Sequence, residues 1–162
     1  MEPTPLDRID KRILHALQDD ARSVTTTELA DAFEVSPSTV RNRIDHLERD
    51  GIITGYRATV DYGRAGFPLQ VVIVGTADVV EREEVAAKAC EVPNVVNVRE
   101  LMFGENNLLV KAVGKTSGDL TRVAKALTEL DVTVRKKILI KDEQFEPLTA
   151  FRPDTEQMVH DP

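Results

Sequence analysis

One face of a short predicted helix carries side chains that can hydrogen-bond to base edges and phosphates. At about 100° per residue, residues 37–50 place four polar side chains on one side, with three more beside them. The four are Ser38, Asn42, Asp45 and Arg49, and the flanking three are Thr39, Arg41 and His46. Serine, threonine, asparagine and arginine can contact bases and phosphates, and aspartate can accept from a cytosine amino group. The face could therefore read DNA, although an ordinary solvated helix face has a similar composition.

The residues before this face predict two short helices with a turn between them. Thr25 followed by Glu28 forms a capping box, which is typical of a helix start. Ser36 followed by Pro37 predicts the start of the second helix, because proline at the first helical position loses no hydrogen bond. Residues 33–35 would form the turn. Two helices joined in this way make a helix-turn-helix, which places its second helix in the DNA major groove.

A third helix and an extended segment complete the predicted unit. Residues 6–18 have an apolar stripe that would cover the other two helices. Gly51 would end the second helix, and residues 52–61 look like a strand, which would give a winged module. Val40, Ile44 and Leu47 should pack inward. The candidate DNA contacts are Thr25, Ser36, Ser38, Thr39, Arg41, Asn42, Arg43, Asp45, His46 and Arg49.

Composition limits the class of protein. The chain has 162 residues, 41% of them apolar, which suits one domain or two small ones. It contains no apolar run of the roughly 20 residues that a membrane span needs, and no signal peptide, so we expect a cytoplasmic protein. Its single cysteine, Cys90, excludes an intramolecular disulfide and is expected to be a small core residue.

The charge is unusual for a nucleic-acid reader. The net charge is −7, and the first 61 residues carry 8 Lys and Arg against 12 Asp and Glu. DNA affinity would therefore depend on locally placed arginines, since such proteins usually present a basic face. Two explanations stay open: a salt-rich cytoplasm, such as that of a salt-adapted archaeon, or simply a mildly acidic protein. The arginines concerned are Arg22, Arg41, Arg43, Arg49 and Arg57.

The second half of the chain predicts an α+β domain. Strands are predicted at 69–76, 95–103, 107–113 and 132–141, and helices at 81–90 and 116–130. This β-α-β-β-α-β order gives a ferredoxin-like antiparallel sheet with both helices on one face. The other face would be covered by a second copy, which predicts a homodimer or higher oligomer. The boundaries are 1–55 for the winged helix-turn-helix, 56–68 for a hinge strand, 69–146 for the ferredoxin-like domain and 147–162 for a partly disordered tail.

Residues 6–14, 28–30, 36–44 and 47–53, together with this order of domains, resemble the Lrp/AsnC family of transcription regulators. The resemblance covers residues 6 to about 146. It implies a dimeric or higher assembly on palindromic promoter DNA. It also implies an amino acid or related small effector bound between paired C-terminal domains.

The effector loop differs from the family pattern. The family often has Gly-x-Tyr-Asp between the second and third strands, whereas this chain has Gly104, Glu105, Asn106 and Asn107. An aspartate could pair with an ammonium group, but neutral Asn107 offers only a carbonyl dipole, for which Glu105 could compensate. These four residues are the candidate effector contacts. The alternative is a polar hairpin that binds no ligand.

Two other functions are alternatives to that of a local regulator. Siroheme decarboxylases resemble this family and carry a basic, His-containing stretch after the winged module, but residues 60–67 hold one arginine and no histidine here. His15, His46 and His160 are scattered, and no metal-ligand or Ser/His/Asp spacing is present. We therefore expect no catalytic residue, metal or cofactor. An architectural DNA-binding protein without an effector is the other alternative.

Overall fold

The computed structural model describes residues 5–152, and the chain forms two compact units. Of the described residues, the first unit contains 5–58 together with 144–152. The second unit is Thr59–Glu143. None of the helices within residues 5–152 has both the length and the apolar character that crossing a membrane requires.

Three helices build the first unit: α1 (Arg8–Asp20), α2 (Thr26–Phe33) and α3 (Pro37–Arg49). They share one apolar core, which includes Ile13, Leu14, Leu29, Ala30, Val40 and Leu47. The first helix begins two residues later than predicted, because Asp7 caps it and accepts hydrogen bonds from the backbone N–H groups of Ile9 and Asp10. The apolar stripe predicted for the first helix is therefore buried, and each of the three helices turns an apolar side towards this core.

The predicted helix signals around the turn are confirmed. Thr25 forms a capping box with Glu28, and the Ser36 side chain accepts from the Thr39 N–H with Pro37 in the first turn. The chain reverses at Glu34, whose φ of 56° is left-handed. Gly51 follows the end of α3 with a φ of 70°, a conformation that glycine adopts without strain.

The predicted strand at 52–61 is wrong. Residues 54–60 are exposed and carry no strand, and the N–H groups of Ile52 and Ile53 instead bond to the Leu47 carbonyl at the end of α3. A strand requires a hydrogen-bonded neighbour, and no described segment of the chain pairs with this one.

The start of the predicted tail is ordered. Thr149–Phe151 forms a short 3-10 helix, and the Leu148 N–H donates to Gln18 Oε1 on α1 at 3.2 Å. Phe151 packs against the core of the three helices. Residues 153–162, including His160, lie outside the described part of the chain.

The second unit has the predicted βαββαβ order. Its elements are β1 (Leu69–Thr76), α4 (Arg82–Glu91), β2 (Val95–Glu100), β3 (Leu108–Gly114), α5 (Ser117–Glu129) and β4 (Thr133–Leu139). The strand order is β2-β3-β1-β4 and every pair is antiparallel, so the ferredoxin-like fold is confirmed.

Both helices of this unit cover one face of the sheet. Alternate residues of β1 and β3 are buried with the inner sides of α4 and α5. Cys90 is exposed, so its prediction as a core residue is wrong. It follows Ala89, which is fully buried, and a step of about 100° turns its side chain away from the sheet.

Candidate nucleic-acid interface and effector hairpin

The two sides of α3 differ sharply in exposure. Val40 and Leu47 are buried, and Ile44 packs half-buried against the same core. The exposed polar side chains of the helix include Ser38, Arg41, Asn42, Asp45, His46 and Arg49. The helix therefore turns its apolar side inward and presents hydrogen-bonding groups to solvent over its whole length.

The hydroxyl groups at the helix starts are already engaged in capping. Ser36 Oγ accepts from the Thr39 N–H at 3.1 Å and lies 2.8 Å from the hydroxyls of Ser38 and Thr39. Thr25 Oγ1 donates to Glu28 Oε2 at 2.8 Å and accepts from the Glu28 N–H. These side chains therefore stabilise the first turns of α2 and α3.

Among the predicted DNA contacts, Arg43 forms ion pairs with acidic residues at the start of α1. Its Nη1 lies 2.8 Å from Asp7 Oδ2 and 3.3 Å from Asp10 Oδ1, and Asp10 is buried. The side chain thus joins α3 to the start of α1 instead of extending from the exposed face. Sequence reasoning missed these acidic partners, although the Asp7 and Asp10 spacing was itself a helix-start signal.

The last turns of α3 are held by polar contacts. Arg49 Nε donates to the Asp45 carbonyl at 3.2 Å, and His46 Nε2 lies 3.3 Å from Asp50 Oδ2. The Tyr56 hydroxyl donates to Glu48 Oε1 at 2.8 Å. Desolvation, together with this carboxylate, raises the pKa of Tyr56 to about 12. The tyrosine links the end of the helix to the segment that follows it.

In the second unit, a tight connection joins β2 to β3. Gly104 has a φ of 104°. The Leu101 N–H donates to the Asn107 carbonyl at 2.9 Å, which closes the loop. Thr76 Oγ1 donates to the Glu105 carbonyl at 2.9 Å, so the end of β1 supports the tip. Asn106 is exposed at the turn.

Asn107 does not face solvent with the other candidate effector contacts. It is 3% exposed, and its side chain bonds twice to the Ala77 backbone. Oδ1 accepts from the Ala77 N–H at 2.9 Å, and Nδ2 donates to the Ala77 carbonyl at 2.8 Å. Because both ends of the amide are used, Asn107 braces the loop and its expected role as a direct ligand contact is corrected.

Glu105 has a partner that sequence reasoning missed. Arg135 Nη2 donates to Glu105 Oε1 at 3.1 Å, and Arg135 Nε donates to Thr76 Oγ1 at 3.3 Å. Arg135 lies about 30 residues further on in β4, so only the sheet brings it to the hairpin. Within residues 5–152, no group of His, Cys, Asp and Glu side chains is arranged to hold a metal ion.

These elements define a DNA-binding protein of the helix-turn-helix class. Residues 6–54 match the family model described as "Winged helix-turn-helix DNA-binding". A relative from Pyrococcus furiosus, an uncharacterised HTH-type transcriptional regulator, is 33% identical over 115 residues, which cover 71% of this chain and 76% of that protein.

Solved structures show the same two-part fold. The Escherichia coli protein AsnC has a TM-score of 0.71 at 23% identity, with 90% of this chain and 98% of that one covered. A Neisseria meningitidis transcriptional regulator, described as a complex with L-Met, has a TM-score of 0.73 at 25% identity, with 89% and 96% covered. The chain belongs to the Lrp/AsnC family and is a DNA-binding transcription regulator.

Proposed function

We propose that the protein acts in the cytoplasm, binding promoter DNA as a homodimer or higher oligomer through the exposed face of α3. We further propose that an amino acid or related effector modulates this binding at the β2–β3 hairpin. The observation that carries the proposal is the division of α3 into a buried apolar side and an exposed polar side. A helix that is anchored in this way can enter the major groove as a rigid reader.

Individual side chains of the face have different roles in this proposal. Asn42 lies near the middle of α3 and is exposed, so it is assigned a base-edge contact. Arg41, His46 and Arg49 are assigned to phosphates, and Ser38 and Asp45 to either kind of contact. The N-termini of α2 and α3 would place backbone N–H groups near phosphates. Thr25, Ser36 and Thr39 lie at these helix starts. Arg43 positions the helix and does not contact DNA.

A dimer explains the uncovered face of the sheet in the second unit. The helix-free face of the sheet carries apolar side chains that are not fully buried: Val72, Val74 and Leu109 are partly buried, and Ile138 is exposed. A second copy would cover this surface. Two readers in a dimer would then reach successive major grooves about 34–36 Å apart. Light scattering with chromatography tests the assembly, and a monomer at all concentrations would exclude it.

Effector binding is proposed at the exposed part of the hairpin, Gly104, Glu105 and Asn106. The hairpin is open to solvent and carries an ion pair between Glu105 and Arg135. The Neisseria relative described in complex with L-Met supports an amino acid as the class of ligand. Binding there would change DNA affinity only as far as the effector prefers one assembly over another.

Mapping the protein on its own genome tests the regulatory role. Discrete promoter sites that share a palindrome would support a local regulator. Uniform coverage would instead support the architectural alternative, in which the oligomer binds DNA without strong sequence preference. The map also determines which operators are used for the binding measurements described below.

A further inference from the structure

The edge strand β4 contains a bulge beside the effector hairpin. In the pairing of β1 with β4, Val74 faces Lys136 and Gly75 faces Val134. Arg135 is therefore the extra residue of the edge strand and has no direct partner on β1. Bulges bend a strand and redirect a side chain, and they occur often next to functional sites.

Gly75 shows that the irregular pairing is built into the packing. A Cβ atom at this position would lie only 2.6 Å from Val132 Cγ1, so the residue just before β4 occupies the space that a side chain would need. Val132 is buried in the core of the unit. The close contact at Gly75 and the bulge at Arg135 are therefore parts of one irregularity, at which β1 and β4 depart from regular pairing.

The bulge directs the Arg135 guanidinium towards Thr76 and Glu105. Nε donates to the threonine hydroxyl and Nη2 to the glutamate carboxylate. The hairpin does not need this ion pair for its shape, because Asn107 and Thr76 hold its backbone through separate hydrogen bonds. The ion pair between Arg135 and Glu105 therefore lies at the proposed effector loop, although the loop does not need it to keep its shape.

We propose that Arg135 binds the carboxylate of the effector, and that Glu105, once displaced from Arg135, binds its ammonium group. The inference rests on the proposed effector function of this hairpin. The ligand class is then a zwitterionic α-amino acid. Arginine suits this role because its planar fork donates two parallel hydrogen bonds to a carboxylate.

Exchange of one carboxylate for another at Arg135 is energetically accessible. The Glu105 side chain is 76% exposed and that of Arg135 is 46% exposed. Ion pairs between exposed groups contribute little to stability, so Glu105 can leave without unfolding the loop.

Calorimetric titration of the full-length protein with the twenty standard amino acids provides the test. The tightest binder is then compared with its carboxamide, which lacks the carboxylate, and its 2-oxo acid, which lacks the ammonium. We expect Arg135→Gln to weaken amino-acid binding about tenfold or more, the usual effect of losing a charge-assisted hydrogen bond. Lys136→Gln removes a neighbouring exposed charge on the same strand and should leave the affinity unchanged.

Two further variants test the chemistry of the pair. Arg135→Lys keeps the charge but loses the fork, so its affinity should lie between those of the wild type and Arg135→Gln. Glu105→Gln should weaken binding of the amino acid and strengthen binding of the 2-oxo acid, because Arg135 then has no internal competitor. A purely structural ion pair would not produce opposite changes for the two ligands.

The outcomes separate this inference from the function on which it rests. Wild-type affinity in Arg135→Gln, with operator binding intact, would overturn the role of Arg135 and leave the effector function standing. An equal response of the two ligands to Glu105→Gln would overturn the role of Glu105. No binding of any amino acid to the wild type would remove the effector function and this inference together, while DNA binding would be unaffected.

Discussion

Arg43 on α3 is joined to Asp7, the residue that caps α1, with 2.8 Å between Nη1 and Oδ2. The same Nη1 lies 3.3 Å from the buried carboxylate of Asp10. One arginine therefore connects the proposed reader helix to the first turn of the helix that supports it. The contact orients α3 without using the side chains of its exposed face.

Replacing Arg43 should affect stability more than base preference. In Arg43→Met the Asp10 carboxylate loses its charged partner while it stays buried, so we expect the free energy of unfolding to fall by about 1–3 kcal/mol. Urea unfolding followed by circular dichroism measures this change. Arg41→Met, at an exposed position of the same helix, is the matched control and should be nearly neutral. The reverse order of the two effects would contradict the positioning role.

We expect the cap at Asp7 to make the stability of the first unit sensitive to acid. Desolvation raises the pKa of Asp7, but the Asp10 N–H hydrogen bond and the charge of Arg43 outweigh it and hold the pKa below its ordinary value of 3.8. Because the folded pKa is lowered, the stabilisation is present above pH 3.8 and is lost as the pH falls through the folded value. We expect Asp7→Asn to lack this part of the acid dependence in unfolding curves. Identical pH profiles for both proteins would disprove the assignment.

Asn42 and Arg41 should affect DNA binding in different ways. Asn42→Ala removes a base-edge contact and should relax the preference at one position of each half-site by about 1–3 kcal/mol. Arg41→Ala removes a phosphate contact, so binding should weaken evenly across sequences with a smaller salt slope. Competition binding with single-base operator variants, repeated at several salt concentrations, measures both. If neither substitution changes binding, the assignment of α3 as the reader is wrong.

Tyr56 can be titrated almost in isolation. The chain has two tyrosines and no tryptophan, so Tyr62→Phe leaves Tyr56 as the single source of tyrosinate absorbance. Desolvation and the Glu48 carboxylate should delay its ionisation until about pH 12. Because the pKa is raised from 10.0, the associated stability is present below that pH and is lost as the pH rises towards 12. Adding Glu48→Gln should move the titration to lower pH, and no movement would exclude the carboxylate as a cause.

Replacing Phe151 tests whether the 3-10 helix Thr149–Phe151 stabilises the helix-turn-helix. The Phe151 ring lines an apolar cleft of about 340 Å³ with Leu14, Leu17 and Ile53. Phe151→Ala should lower the stability of the first unit by about 1–2 kcal/mol, since part of a phenylalanine burial is lost. Leu148→Ala, at a position that is 53% exposed, should cost less. Hydrogen exchange of α1 amides reports the change locally.

The local signals of the sequence predicted much of the fold correctly. The capping box at Thr25 forms as its spacing indicates, and the apolar side of α3 is buried. Such features act within a few residues, so one chain segment contains all the information they need. The strand predicted at 52–61 failed for the complementary reason, because β propensity without a pairing partner does not make a strand.

Sequence alone determined the family, the order of elements and the polar face of α3, since periodicity and caps are written into neighbouring residues. The tertiary structure decided which of those polar groups are free. It turned Arg43 towards Asp7 and Asp10, used both ends of the Asn107 amide on Ala77, and brought Arg135 to Glu105. These contacts join residues about 30 positions apart, and their distances depend on how helices and strands pack, which local spacing does not encode.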